Sequence, residues 1–358
     1  MTTSIPTPID EAKLEALVGS TVGELAAAVS GVLALLGDRL GLYHAMAGAG
    51  PLTAPDLAER TGTAERYVRE WLHNQAAGGI VDYDPATATF MLPPEQAMIY
   101  VDESSPAYMG GGFDLLESLW SDVPRFLHAF RSGDGIPWGD HHPSMFCGTE
   151  RFFRTGYQAH LAAEWIPALD GVVAKLERGG RVADLGCGHG VSSIVIAEAF
   201  ERAIVVGSDV HPPSIEHAGA EAASRGLADR LSFEVASAQD FTGSNYDLVC
   251  TCDCLHDMGD PVGAAARIRE ALAEDGTWLL VEPFANDRLE DNLNPIGRIF
   301  YGASTLVCCA NALSQEGGHS LGAQAGEARL RAVAQEAGFT RFRRAAETPV
   351  NLILEVRP

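Results

Sequence analysis

Two short stretches hold the residues best placed to do chemistry. In the first, Gly180 to Gly190, Asp184 is followed by Gly186, Gly188 and Gly190. A glycine turn of this kind lets backbone approach a nucleotide-like ligand closely. Asp209, nineteen residues after the last glycine, is an acid suited to the two hydroxyls of a ribose. Asp184 stands where a dinucleotide site has an apolar strand end, which favours a ligand carrying an ammonium group. The second stretch is Asp253-Cys254-Leu255-His256-Asp257-Met258. An imidazole there can move a proton near neutral pH, because its unperturbed pKa is about 6.5. A glycine turn alone also occurs in dinucleotide enzymes, so another nucleotide binder is the competing reading.

The elements around these residues read as a doubly wound α/β sheet. Val182 to Leu185, Ala203 to Ser208, Leu231 to Val235, Tyr246 to Cys250 and Gly276 to Glu282 are five predicted strands. Helical spacing recurs between them, over Val191–Phe200, Pro213–Arg225 and Pro261–Ala273. Strands alternating with helices imply a parallel sheet covered on both faces. A last helix over Gly326–Ala337, closed by Gly338, precedes a terminal hairpin over Phe339–Arg357. In such a sheet the carboxyl ends of the strands face the ligand, and His256 lies just past one of them.

Asp184-x-Gly-x-Gly followed by the strand-end Asp209 resembles the S-adenosylmethionine site of class I methyltransferases. The likeness covers roughly residues 160–358. Leu255-His256-Asp257, with a predicted winged helix in front, resembles the plant-type small-molecule O-methyltransferases. That resemblance implies S-adenosylmethionine as cofactor and His256 as the base that removes a hydroxyl proton. Glu282, after the fifth strand, would be its carboxylate partner. Gly186 and Gly188 would admit the methionine portion and Asp184 would face its ammonium group. Asp209 would hold the ribose, Val210 would lie beside the adenine, and Ser237-Ala238-Gln239 would form the adenine-edge loop. Cys252 occupies the place of a lysine near the cofactor in that family. The family's second acidic partner would fall near Gln324, an amide, so the orienting network differs here.

Residues 1–100 read as a second, mainly helical unit. Helices are predicted over Gly31–Ala47, from an N-cap at Thr53 to Arg60, and over Thr63–Ala77, stopped by Gly78-Gly79. A hairpin over Ile80–Leu92 completes a winged helix. This unit has 5 Lys and Arg against 12 Asp and Glu, and the whole chain carries −23. Clustered cations supply most of the non-specific affinity of DNA binders, so the unit is expected to join two copies of the chain instead. Apolar stretches such as Val22 to Leu36 suit that role.

Residues 101–170 form an aromatic and glycine-rich linker and pocket roof. A helix over Thr149–Leu169 is expected to place Phe153, Tyr157 and His160 on one face, lining the cofactor and substrate pocket. His141-His142 reads as a solvated loop pair. The methyltransferase unit is expected over residues 171–358, with a substrate-binding insertion over 283–325 that includes the apolar segment Ile299–Leu313 and His319. Aromatic lining points to an aromatic or apolar small-molecule substrate.

Two rival functions stay open. His319 could join His256 and Asp257 around a divalent metal, as in related enzymes that methylate the carbon next to a 2-oxo acid. Alternatively the chain could be a cofactor-sensing regulator that binds DNA. Seven cysteines, with Cys250, Cys252 and Cys254 alternating and no C-x-x-C pair, read neither as a disulfide framework nor as a zinc site. The opening residues lack the basic start and apolar core of a signal peptide, and no unbroken apolar run reaches the ~20 residues that span a bilayer. A cytoplasmic, homodimeric enzyme without membrane or nucleic-acid partner is expected.

Overall fold

The computed structural model describes residues 9–358, so most of the opening stretch read for a leader lies outside the described residues. The chain divides into two compact units, Met1–Glu117 and Ser118–Pro358.

The first unit begins with α1 (Glu11–Arg39), which Asp10 caps by accepting a hydrogen bond from the Lys13 N–H. One helix therefore covers the region from which the sequence suggested a shorter one starting at Gly31. The break falls at Gly41, whose φ of +67° favours glycine, and α2 (Leu42–Met46) follows. Next come α3 (Ala54–Thr61), opened by a reciprocal capping box between Thr53 and Asp56, and α4 (Glu65–Ala77). The antiparallel pair β1 (Asp82–Asp84) and β2 (Thr89–Met91) completes a winged helix. Its core packs Tyr43, Met46, Leu57, Trp71 and Leu72, with the Tyr43 hydroxyl donating to Gln75 at 2.6 Å. Most of α1 stays outside that core: Leu14, Val18, Val22, Leu25, Val29, Val32 and Leu36 are all exposed. By length and mean hydropathy, 1.6 over its most apolar window, α1 could cross a bilayer, and so could the stretch Pro295–Leu313. The unbroken-run reading missed both helices because single charged or polar residues interrupt them.

The second unit is built on seven strands in the order β5-β4-β3-β6-β7-β9-β8. These are β3 (Arg181–Leu185), β4 (Ile204–Asp209), β5 (Leu231–Val235), β6 (Tyr246–Cys252), β7 (Leu272–Pro283), β8 (Arg341–Glu347) and β9 (Asn351–Arg357). β3 to β7 run parallel, while β9 pairs antiparallel to both β7 and β8. The sheet is thus mixed, with the C-terminal hairpin closing one side. Apolar residues of both sheet faces are fully buried, Leu248 and Leu279 in one cluster, Val249 and Leu280 in the other. Two-sided burial is why the central strands read as continuous apolar runs.

Candidate active site

The carboxyl ends of β3, β4 and β6 open onto a cleft. Its floor is the glycine turn after β3. Gly186 has φ +67°, and a Cβ there would lie 2.8 Å from the Cys254 Sγ, so only glycine lets the turn cross under the end of β6. Gly188, also at positive φ, faces open space. Asp209, at the end of β4, accepts hydrogen bonds from the Gly188 N–H and the His211 N–H, both at 2.9 Å, and burial raises its pKa. Val210, Ser237, Ala238 and Gln239 lie along the same wall. The Ser237 hydroxyl donates to Asp240, and the Gln239 amide to the Asp260 carbonyl.

Asp184 does not reach the cleft wall. It is fully buried beneath the turn, where one oxygen accepts 2.6 Å bonds from Ser192 and Ser193 while the other has no partner. Burial pushes its pKa up to about 6. The side chain that reaches the cleft from the end of β6 is instead Asp253, together with Cys252 and Cys254. Asp253 accepts 2.9 Å bonds from the Tyr157 hydroxyl and the Asn351 amide.

The roof is the helix Ser144–Gly156 and its continuation as a wider π-helix over Tyr157–Trp165. Phe153 and Tyr157 line the cleft. His160 does not: it stacks on Trp165 with ring centroids 6.0 Å apart. The π turn accounts for this, since its extra residue per turn rotates later side chains off the face that α-helical spacing assigns to them. Glu150 and His189 also line the cleft and bond to each other at 2.7 Å. Burial would raise the Glu150 pKa, but its bonds to His189 and Arg154 outweigh that and hold it down at about 2. His141 is not solvated; it is buried with Nδ1 3.0 Å from Asp122, a buried carboxylate that also gathers Arg125 and the His142 N–H.

His256 and Glu282 form a buried pair behind the cleft. Glu282, near the end of β7, has one oxygen 2.5 Å from His256 Nδ1 and accepts the Leu255 N–H with the other. His256 Nε2 lies 3.2 Å from the Cys308 Sγ on the insertion helix, and neither residue lines the cleft. Burial alone would lower the His256 pKa, yet the Glu282 carboxylate and Cys308 outweigh it and hold it well above the ordinary value. Asp257 lines the cleft and is raised to about 6 by burial. His319 is exposed, with its backbone N–H donating to the Gly259 carbonyl, and lies off the cleft wall. Gln324 turns its amide to the Phe284 and Ala323 carbonyls.

The cleft fits a ligand with an adenosine-like body and a cationic end. Asp209 offers paired acceptor oxygens, the turn leaves open space at Gly188, and His189 is the only basic side chain on the wall among the described residues. A family model described as a methyltransferase domain matches residues 176–328, and one described as an Rv2258c-like winged HTH domain matches residues 27–101. The chain is an S-adenosylmethionine-dependent methyltransferase. The mitomycin biosynthesis 6-O-methyltransferase of Streptomyces lavendulae is 25% identical to it over 254 residues, 67% of this chain and 70% of that protein. The methyltransferase also has the fold of the mitomycin 7-O-methyltransferase MmcR, with a TM-score of 0.72 at 20% identity over 98% and 100% of the two chains. A second solved protein of similar fold is NcsB1, an O-methyltransferase from neocarzinostatin biosynthesis bound to S-adenosylmethionine and 2-hydroxy-5-methyl naphthoic acid. Its TM-score is 0.60 at 18% identity, covering 92% of this methyltransferase and 96% of that chain.

Sequence reasoning missed Asp253, Glu150 and His189 as cleft residues. The signal for His189 was its place inside the glycine turn. Asp253 carried a weaker one, an acid three residues before an expected catalytic histidine.

Proposed function

We propose that this methyltransferase O-methylates a small aromatic or apolar molecule, with His256 as general base and Glu282 as its positioning partner. The observation that carries the reading is the 2.5 Å contact between His256 Nδ1 and Glu282 at the carboxyl edge of the sheet, next to the cofactor cleft. A carboxylate on Nδ1 fixes the tautomer that leaves Nε2 free to accept a proton, and it stabilises the imidazolium that forms. The bound cofactor supplies an electrophilic methyl group on a sulfonium. Asp209 holds the ribose diol, and Val210 with Ser237 to Gln239 borders the adenine. The acceptor hydroxyl takes the place of the Cys308 thiol at Nε2, which requires the insertion helix to give way locally. Two similar proteins support the substrate class, one named as a mitomycin biosynthesis 6-O-methyltransferase and one an O-methyltransferase bound to 2-hydroxy-5-methyl naphthoic acid.

A screen of phenols, 2-oxo acids and amines for labelled methyl transfer tests this reading. Phenol methylation that persists in chelator is expected, with His256→Ala lowering turnover by about 10²–10⁴ and His319→Ala having little effect. Chelator-sensitive methylation of a 2-oxo acid carbon would replace it with the metal-dependent alternative. The exposed position of His319 disfavours that alternative. We further infer a homodimer through α1. Its exposed apolar residues Leu14, Val18, Val22, Leu25, Val29, Val32 and Leu36 recur at intervals of three and four, the spacing of a helix-pairing seam.

A further inference from the structure

Asp253 is one of three non-glycine residues with positive φ among the described residues, at +53°. Such a conformation is unfavourable for a side-chain-bearing residue and persists where surrounding contacts fix it, often at functional sites. Here the Asp253 N–H donates to the Val281 carbonyl, and Tyr157 and Asn351 each hold one carboxylate oxygen at 2.9 Å. Both side-chain partners are neutral, and among the described residues no lysine or arginine pairs with Asp253. Three other acids near the turn are committed elsewhere. Glu150 is paired with Arg154 and bonded to His189, Asp209 is placed for the ribose, and Asp184 is sealed under the turn by two serines. Asp253 therefore lines the cleft with no lysine or arginine partner among the described residues, next to Cys254, against which the Gly186 turn packs.

We propose that Asp253, held by Tyr157 and Asn351, is the carboxylate that receives the ammonium group of the cofactor's amino-acid end, the role the sequence assigns to Asp184. A carboxylate has lone pairs beyond the two these neutral donors use, and a charged hydrogen bond out of bulk water is stronger than a neutral one. The inference rests on the S-adenosylmethionine site described above, and the probes separate the two. S-adenosylhomocysteine carries the ammonium group, while 5′-methylthioadenosine lacks the whole amino-acid end. Calorimetry on Asp253→Asn should show S-adenosylhomocysteine bound roughly tenfold to a hundredfold more weakly, with 5′-methylthioadenosine unchanged. Unchanged S-adenosylhomocysteine affinity, or an equal loss for both ligands in a folded variant, overturns the assignment. A wild-type protein that binds neither ligand overturns the underlying site instead.

A test on the unaltered protein covers the case of a variant that does not fold. The titratable groups facing Asp253 are Tyr157, Cys252, Cys254, His256 and Glu282. Burial pushes the Asp253 pKa up to about 7. The preference for S-adenosylhomocysteine over its desamino analogue should therefore shrink as pH falls through that value. A preference that holds constant down to pH ~5 contradicts the role of Asp253.

Discussion

At the scale of single residues, a carboxylate and an imidazole 2.5 Å apart and both withdrawn from water set each other's proton affinity. Burial favours the neutral imidazole, but Glu282 favours the imidazolium more strongly, so His256 holds its proton to a pH above the usual 6.5. A general base must be neutral to act. Turnover should accordingly climb with pH through a value above 6.5 and level off beyond it. In Glu282→Gln, which keeps a hydrogen-bonding group and loses the charge, that limb should move to lower pH while the plateau falls. A pH–rate profile checks both signs, and a limb unmoved in Glu282→Gln would mean another group sets it. The stability contribution of the pair has the matching sign: fully present below the unfolded histidine pKa, it is lost as pH rises through the folded one. His256, Asp209 and Glu282 were legible in the sequence because each follows an apolar run that ends at the ligand edge of the sheet. Asp253 and Glu150 were not, because their roles depend on partners distant in sequence: Asn351 for one, His189 for the other. Cys308 was invisible for the same reason.

At the scale of elements, the glycine turn shows how little freedom the site has. Gly186→Ala would put a methyl carbon 2.8 Å from the Cys254 Sγ at a φ of +67°, combining a steric clash with an unfavourable backbone conformation. We expect a loss of more than about 1 kcal/mol in stability, read by denaturant titration, together with weakened cofactor binding. The same substitution at the exposed helical Gly19, where nothing lies within 4 Å, should instead leave cofactor binding untouched. Caps are a second element-level test: Thr53→Ala removes one side of the Thr53–Asp56 box and should cost about 1 kcal/mol in the stability of the first unit. The five parallel strands and the terminal hairpin were readable because apolar runs, glycines and prolines punctuate them. The extension of β7 back to Leu272 was not, since Gly276 there is packed against the Tyr246 carbonyl by a local register shift. The roof helix was readable up to Gly156. Beyond it the π turn, a product of tertiary packing, displaced His160 from its expected face.

At the scale of the whole molecule, charge and one exposed apolar stripe decide what the first unit does. A winged helix that grips DNA needs cations free to meet phosphates. In α4, Arg66 is paired with Glu70 and Arg69 with Glu65, and residues 1–100 hold 12 acidic against 5 basic side chains. A chain of net charge −23 would meet DNA with repulsion. The apolar side of α1, by contrast, leaves Val22 and Val29 each about 60% exposed, a cost in water that a second copy of the chain would remove. A bilayer could also cover it by length and hydropathy, but Glu24 in mid-helix would then lie deep in hydrocarbon, where an acidic side chain is costly. Replacing Val22 and Val29 together by glutamate should therefore halve the mass measured by light scattering while leaving S-adenosylhomocysteine binding to the second unit intact. The wild-type protein should remain in solution when mixed with vesicles and should pass over immobilised DNA at low salt without retention. Salt-sensitive retention on DNA would restore the regulator reading, flotation with vesicles would assign the stripe to a membrane, and an unchanged mass in the double variant would remove α1 from the interface.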